Sequence, residues 1–87
     1  MKLIITIIPD NNSDSVSLAL TERKFRVTQI ASSGGFLRKG NATLLVGVED
    51  EELDDAVGII RETMDSSGNQ KNKGVLFVIK VDKFIHF

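Results

Sequence analysis

The sequence of 87 residues contains no cysteine. This absence excludes a disulfide-stabilised scaffold, a thiolate metal site and a catalytic thiol. Stability must therefore come from packing, for which 41% of the residues are hydrophobic. A chain of this length is expected to form a single domain, residues 1–87, with a core small enough that association with further subunits would add burial.

The chain also lacks an excess of charge of either sign, since eleven Lys and Arg residues stand against twelve Asp and Glu residues. Such a chain has no global field that attracts DNA, RNA or an anionic membrane, so we expect neither a nucleic-acid polymer nor a membrane as partner. The longest apolar run, residues 3–8 with Thr6 inside it, is too short to span a bilayer. The turn residues that follow do not form a signal-peptide cleavage site. The expected compartment is the cytoplasm.

Hydrophobic periodicity predicts four strands and two helices in the order β-α-β-β-α-β. The strands are predicted at residues 3–8, 25–33, 41–48 and 75–81, and the helices at residues 13–24 and from residue 49 onward. Asn12 or Ser13 is expected to cap the first helix. This order predicts an α+β ferredoxin-like fold, in which both helices cover one face of a four-stranded antiparallel sheet.

A second sheet face remains without helices in such a fold. If Leu3, Ile5 and Ile7 face the helices, then Ile4 and Ile8 face the other way, so we expect the uncovered face to be apolar. An antiparallel sheet with one solvated face would instead alternate apolar and polar residues. Three of the last four residues of the chain are apolar as well. Exposed apolar surface of this extent indicates an interface, and we infer a homo-oligomer.

The segment at residues 32–40 concentrates groups that bind phosphate. Paired glycines expose backbone N–H groups, serine hydroxyls add donors, and Arg26 with two basic residues of the segment adds positive charge. Phe36 is able to stack on a base, and the Asn41 amide is able to read a purine edge. A β-hairpin with a glycine bulge and exposed basic residues explains the same pattern. The glycine spacing excludes a Walker or dinucleotide motif, and no helix follows.

Four motifs carry a family resemblance: Phe25-Arg26-Val27-Thr28, Ser32-Ser33-Gly34-Gly35-Phe36-Leu37, Gly40-Asn41-Ala42-Thr43 and Val46-Gly47-Val48-Glu49-Asp50. With them, nearly the whole chain resembles the PII-like receptors for cyclic di-AMP of Gram-positive bacteria. This resemblance implies a ferredoxin-like homotrimer that binds three cyclic di-AMP molecules, one in each cleft between neighbouring subunits. A signal-transduction role with an unknown downstream protein follows from the same resemblance.

The resemblance also implies eight ligand-binding residues: Arg26, Thr28, Gly35, Phe36, Leu37, Asn41, Gly47 and Phe77. Arg26 would face a phosphate, and Thr28 and Asn41 would hydrogen-bond the nucleotide. The three residues at positions 35–37 would shape the pocket with backbone donors and apolar cover. Gly47 would let an adenine lie close to the third strand, and Phe77 matches an aromatic residue of the fourth strand near the pocket.

The sequence departs from the family mainly in one loop. Family members carry a long insertion between the second helix and the fourth strand, whereas only the polar stretch at residues 66–74 stands here. The loop is thus either naturally short or shortened by design. Two smaller departures are Ser32 and Ser33, where threonines are common, and Lys80, where proline is frequent.

Other functions remain open from the residues alone. The residues are also compatible with a structural or protein-binding trimer that has lost its ligand, or with a small acylphosphatase-like hydrolase that uses Arg26 with Asn41, or Arg23 with either of them. No activated nucleophile or base accompanies these residues, so we expect no enzyme activity. The lone His86 is expected to be a packing or surface residue. The acidic run at residues 49–55 is expected to complement the positive end of a helix dipole. No metal or cofactor is expected.

Overall fold

The computed structural model describes residues 1–30, 40–66 and 74–87. Its elements are β1 (Lys2–Pro9), α1 (Asp10–Glu22), β2 (Arg26–Ile30), β3 (Asn41–Val48), a 3₁₀ turn (Asp50–Glu52), α2 (Leu53–Ser66) and β4 (Val75–Lys80). The strands form one sheet in the order β2-β3-β1-β4, and all neighbouring pairs are antiparallel. The α+β ferredoxin-like arrangement predicted from the sequence is confirmed. Residues 31–33 of the predicted second strand and most of the predicted 66–74 loop lie outside the described residues.

The hydrophobic core lies between one face of the sheet and the two helices. Its buried side chains are Ile4 and Ile8 of β1, Leu44, Val46 and Val48 of β3, Val16 and Leu20 of α1, and Ala56 and Ile60 of α2. The alternation of β3 was predicted correctly, since its even-numbered residues are all buried and, apart from Thr43, its odd-numbered residues are not. Neither helix in the described part of the chain combines the length and apolar character that crossing a membrane requires.

The two faces of β1 are the reverse of the assignment considered above. Ile4 and Ile8 are buried against the helices, whereas Leu3, Ile5 and Ile7 lie on the other face and are half-buried. The register explains the choice, because Ile4 pairs with the buried Val46 of β3. Apolar residues occupy both faces of β1, so its sequence pattern does not distinguish them. The inference that the uncovered face is apolar is unaffected.

The first helix begins and ends earlier than predicted. It starts at Asp10, and the extended backbone of Pro9 precedes it. The Asp10 N–H donates to the carbonyl of Gly40 at 2.7 Å, so tertiary structure satisfies one of the free N–H groups. The predicted cap is therefore wrong: Asn12 and Ser13 are buried within the helix, and the Ser13 hydroxyl donates to the Asp10 carbonyl.

The acidic run before α2 stabilises the start of that helix. The N–H of Glu49 donates to the Glu52 carboxylate at 3.0 Å. The Glu49 carboxylate in turn accepts the backbone N–H of Glu52, and the two hydrogen bonds form a capping box. Asp50 lies 3.1 Å from the N-terminal amine. The hydrogen bond to this amine and its positive charge lower the pKa of Asp50. These contacts agree with the predicted role of the acids at a helix start.

The C-terminus of α1 is a Schellman motif built on a lysine. The Lys24 N–H donates to the Thr21 carbonyl at 2.8 Å, and the Phe25 N–H donates to the Leu20 carbonyl at 3.0 Å. This geometry requires the left-handed backbone of Lys24, whose φ is 71°. Glycine is the usual residue at this position because it has no Cβ to clash.

We expect Lys24→Gly to raise the free energy of unfolding by about 1 kcal/mol, because it relieves the left-handed strain. Urea denaturation monitored by circular dichroism measures the difference in the free energy of unfolding. Lys24→Ala is the matched control, since it removes the same charge and keeps a Cβ. If both variants were stabilised equally, the cause would be the loss of the lysine charge, and the explanation from left-handed strain would be wrong.

Candidate functional site

The sheet face turned away from the helices is here called the open face. The strand registers align its residues in three rows that run from β2 across β3 and β1 to β4: Arg26-Gly47-Leu3-Ile79, Thr28-Leu45-Ile5-Phe77 and Ile30-Thr43-Ile7-Val75. Eight of these twelve residues are large and apolar. The expectation of an apolar uncovered face therefore agrees with the structure.

The apolar surface is most exposed along β4. Phe77 is 51% exposed, and its strand neighbours Val75 and Ile79 are nearly as accessible. β4 is also an edge strand, so its outer backbone groups have no partner strand within the sheet. A long apolar edge strand is a template for contact with another chain. The open face and the β4 edge together form a surface suited to association.

At the β2 end of the open face, a gap in the side-chain layer lies above Gly47. Gly47 pairs with Arg26 on one side and with Leu3 on the other, and it is exposed. A Cβ built on Gly47 meets no atom of the described residues within 4 Å. Packing within the described chain thus does not require a glycine here, although glycine weakens a strand interior. Such a glycine marks a place where a ligand or another backbone approaches closely.

Two polar residues of β2 border this gap. Arg26 is exposed directly beside Gly47, and Thr28 is exposed in the next row, opposite Leu45. The alternation of a strand directs both side chains to the same face as the gap. The structure therefore brings three of the predicted ligand residues, Arg26, Thr28 and Gly47, into one cluster. A guanidinium beside exposed backbone is suited to a phosphate group.

Two further predicted residues share the open face but lie apart from this cluster. Asn41 is half-buried at the start of β3, six residues from Gly47, which corresponds to about 20 Å along a strand. Phe77 lies in the same row as Thr28, but three strand spacings away, or about 14 Å. A single chain therefore does not bring all of these side chains around one small ligand.

The remaining predicted residues, Gly35, Phe36 and Leu37, lie outside the described residues. Their glycine-rich run connects β2 to β3, since it stands between Ile30 and Asn41 in the sequence. The assignment of these three residues to the ligand site stays a prediction.

Thr43 was not singled out by the sequence analysis, yet it stands out in the structure. It lies on the open face between Asn41 and Leu45, and it is only 6% exposed. Its hydroxyl has no hydrogen-bond partner among the described residues. The motif Asn41-Ala42-Thr43 and strand alternation were sufficient to assign it to the same face as Asn41. Its burial and missing partner are visible only in three dimensions.

The other face of the sheet contributes to a concave space of about 620 Å³ between α2 and β4. Its lining includes Thr6, Ile60, Met64 and Leu76. None of the predicted ligand residues that the structure describes belongs to this lining. The open face is flat, and a flat sheet face forms a concave site only when a second surface covers it. The size of a cavity within a single chain therefore does not show where a ligand binds on the open face.

A model of the family described as cyclic-di-AMP receptor matches residues 1–72. Seven of the eight predicted ligand residues fall within that stretch, and Phe77 follows it.

Among solved structures, the chain is similar to a functionally unknown protein from Pediococcus pentosaceus, with a TM-score of 0.80 and 26% sequence identity. The similarity covers 99% of this chain and 96% of that chain. Because the family model matches well over half of the residues, the chain belongs to the cyclic-di-AMP receptor family.

Proposed function

We propose that this protein is a PII-like signal-transduction receptor that holds cyclic di-AMP in the clefts between the subunits of a cytoplasmic homotrimer. The family supports the ligand class. The observation that carries the location is the gap above Gly47, which is bordered by Arg26 on an apolar sheet face without helices. Membership of a receptor family favours binding over catalysis.

The chemistry of the cluster fits a cyclic dinucleotide. The Arg26 guanidinium supplies charge and paired N–H donors to one phosphate. The Thr28 hydroxyl donates or accepts a hydrogen bond beside it. The exposed backbone at Gly47 accepts a flat base at van der Waals distance, because no side chain intervenes. A ligand with two phosphates requires only this local positive charge, so the nearly neutral chain is no obstacle.

A site between subunits accounts for the separation of Phe77 from the cluster. Within one protomer Phe77 is about 14 Å from Thr28, too far for both to contact the same base. β2 and β4 are the two edges of the sheet, so a neighbouring subunit is able to bring its own β4 toward the β2 edge. The Phe77 side chain, half exposed in the protomer, would then cover the ligand from the neighbour.

Association through the open face accounts for its composition. Half-buried residues such as Leu3, Ile5 and Leu45 lose their remaining contact with water when subunits pack together. The choice of three subunits follows from the resemblance to PII-like receptors. No further cofactor or metal is part of the proposal, and the downstream protein is unassigned.

A hydrolase site built from Arg26 and Asn41 receives no support from the geometry. Arg26 pairs with Gly47, whereas Asn41 lies six residues away along β3, at a distance of about 20 Å. One acyl phosphate does not span that distance, so these two residues of one protomer do not form an acylphosphatase site. A trimer that has lost ligand binding is distinguished by titration.

Calorimetric titration of the purified protein with cyclic di-AMP tests the proposal. We expect saturable heat near one ligand per subunit. Arg26→Gln should weaken binding by about tenfold to a hundredfold, the effect of removing a charge-assisted hydrogen bond. Arg61→Gln is the matched control, because Arg61 is an exposed arginine of α2. A folded trimer that gives no heat would overturn the function, and equal effects of the two variants would overturn the role of Arg26.

A further inference from the structure

Thr43 combines deep burial with an unsatisfied hydroxyl. The residue is 6% exposed, and its Oγ1 has no hydrogen-bond partner among the residues that the structure describes. Burying a hydroxyl without a partner is unfavourable, and most buried polar groups in proteins avoid it. Valine has the same β-branched shape and favours strands equally, so packing alone does not explain a threonine.

Thr6 provides an internal comparison on the opposite face of the sheet. It is 1% exposed, and its hydroxyl donates to the carbonyl of Val75 at 2.9 Å. Thr6 therefore satisfies its hydroxyl within the chain in the usual way. Thr43 has the same side chain in an adjacent strand and has no such bond among the described residues.

Thr43 lies between the two separated parts of the predicted site. Along β3 it stands two residues from Asn41 and two residues from Leu45, which pairs with Thr28. All of these side chains except that of Leu45 are polar, and all lie on the open face. A ligand that contacts both Asn41 and Thr28 must pass across Thr43.

The distance to Arg26 indicates which part of the ligand reaches Thr43. Arg26 is opposite Gly47, four residues and about 14 Å from Thr43 along β3. A phosphate held by Arg26 is therefore out of reach of the Thr43 hydroxyl. The base and the ribose are the neutral polar parts of the nucleotide, and a hydroxyl serves both because it donates and accepts.

We propose that Thr43 is a further ligand-binding residue, whose hydroxyl hydrogen-bonds a neutral group of the nucleoside of the bound cyclic dinucleotide. This inference rests on the proposed function and adds a residue to its site. In the free protein no described residue pairs with this hydroxyl, and ligand binding supplies its partner.

Paired threonine-to-valine variants test this role by calorimetry with cyclic di-AMP and by urea denaturation without ligand. Thr43→Val should weaken binding about three- to tenfold, the effect of one neutral hydrogen bond, and should leave the unfolding midpoint unchanged or higher. Thr43→Ser retains the hydroxyl and should bind within about twofold of the parent protein. Thr6→Val should lower the unfolding midpoint and leave affinity unchanged, because its hydroxyl bond lies within the chain.

The salt dependence of each loss identifies the ligand group. The fold loss of affinity in Thr43→Val should be constant between low and moderate salt. The fold loss of affinity in Arg26→Gln should become smaller as the salt concentration rises. A salt-dependent loss in Thr43→Val would overturn the neutral contact. Unchanged affinity, or a fall in unfolding midpoint equal to that of Thr6→Val, would overturn the role of Thr43 while leaving the proposed function intact. Absence of binding by the parent protein would overturn both.

Discussion

Gly47→Val is expected to abolish high-affinity binding of cyclic di-AMP while leaving the protomer folded. A Cβ at this position meets no described atom, so the two added methyl groups project into the open gap beside Arg26. Valine also favours a strand more than glycine does, so the free energy of unfolding should stay equal or rise by up to about 1 kcal/mol. We expect the dissociation constant to rise by about a hundredfold or more, which corresponds to ~3 kcal/mol, because the base is displaced from the strand.

The control for this variant is Gly58→Ala in the middle of α2. A Cβ there also meets no described atom, and alanine is the better helix former, so stability should rise by about 1 kcal/mol with affinity unchanged. Calorimetry measures affinity, and light scattering verifies that both variants keep the oligomeric state of the parent. Parent-like affinity in Gly47→Val would mean that the ligand does not approach β3 at this point, and the proposed location would be wrong.

If the open face joins the subunits of the proposed trimer, Leu45→Glu is expected to convert that trimer into monomers. Leu45 is half-buried in the central row of the open face, between Thr28 and Ile5. If this face is the subunit interface, the substitution buries a carboxylate without a partner in every subunit, at a cost of several kcal/mol for each. Light scattering should report a fall from about three times the chain mass of 9.6 kDa to that mass itself.

Leu18→Glu is the matched control for the interface. Leu18 lies on α1 and is 60% exposed, so the same substitution there changes charge without entering the open face. It should leave the mass unchanged. A trimer that persists in Leu45→Glu would contradict association through the open face, as would dissociation to the same extent in both variants.

The same pair of variants tests whether the ligand site spans two subunits. A Leu45→Glu monomer retains Arg26, Thr28 and Gly47 on its own sheet but has no neighbour to supply Phe77. We therefore expect it to lose binding together with the trimer. Parent-like affinity in a demonstrated monomer would show that one protomer suffices, and the cleft would be wrong.

Much of the fold was predictable because its signals are local. The alternation of β3, the helical periodicity of α2 and the order of the elements led to the ferredoxin-like sheet that the structure contains. The ends of α1 were not predictable from local signals, because a contact with Gly40 fixes its start and a lysine replaces the usual glycine at its end. Local sequence preferences are weak where tertiary hydrogen bonds compete with them.

The candidate site was predictable in part from the residues that carry the family resemblance. Alternation along β2 and β3 is sufficient to assign Arg26, Thr28 and Gly47 to one face once the two strands pair. The register of the two strands is known only from the structure, and a shift by one residue would move the side chains of either strand to the opposite face. The separation of Phe77 emerges only when the strands are assembled, as does the Thr43 hydroxyl that has no partner among the described residues.

By itself the sequence predicted the fold class and the apolar character of both sheet faces, because periodicity is a property of the chain. The family followed separately, from the resemblance of its motifs to those of known receptors. Only the tertiary structure decided which face of β1 meets the helices, since its apolar residues fit either side and the pairing with β3 makes the choice. The same pairing sets Arg26 beside the bare backbone of Gly47. That juxtaposition joins residues 21 positions apart, and it exists because hydrogen bonding between β2 and β3 fixes their register.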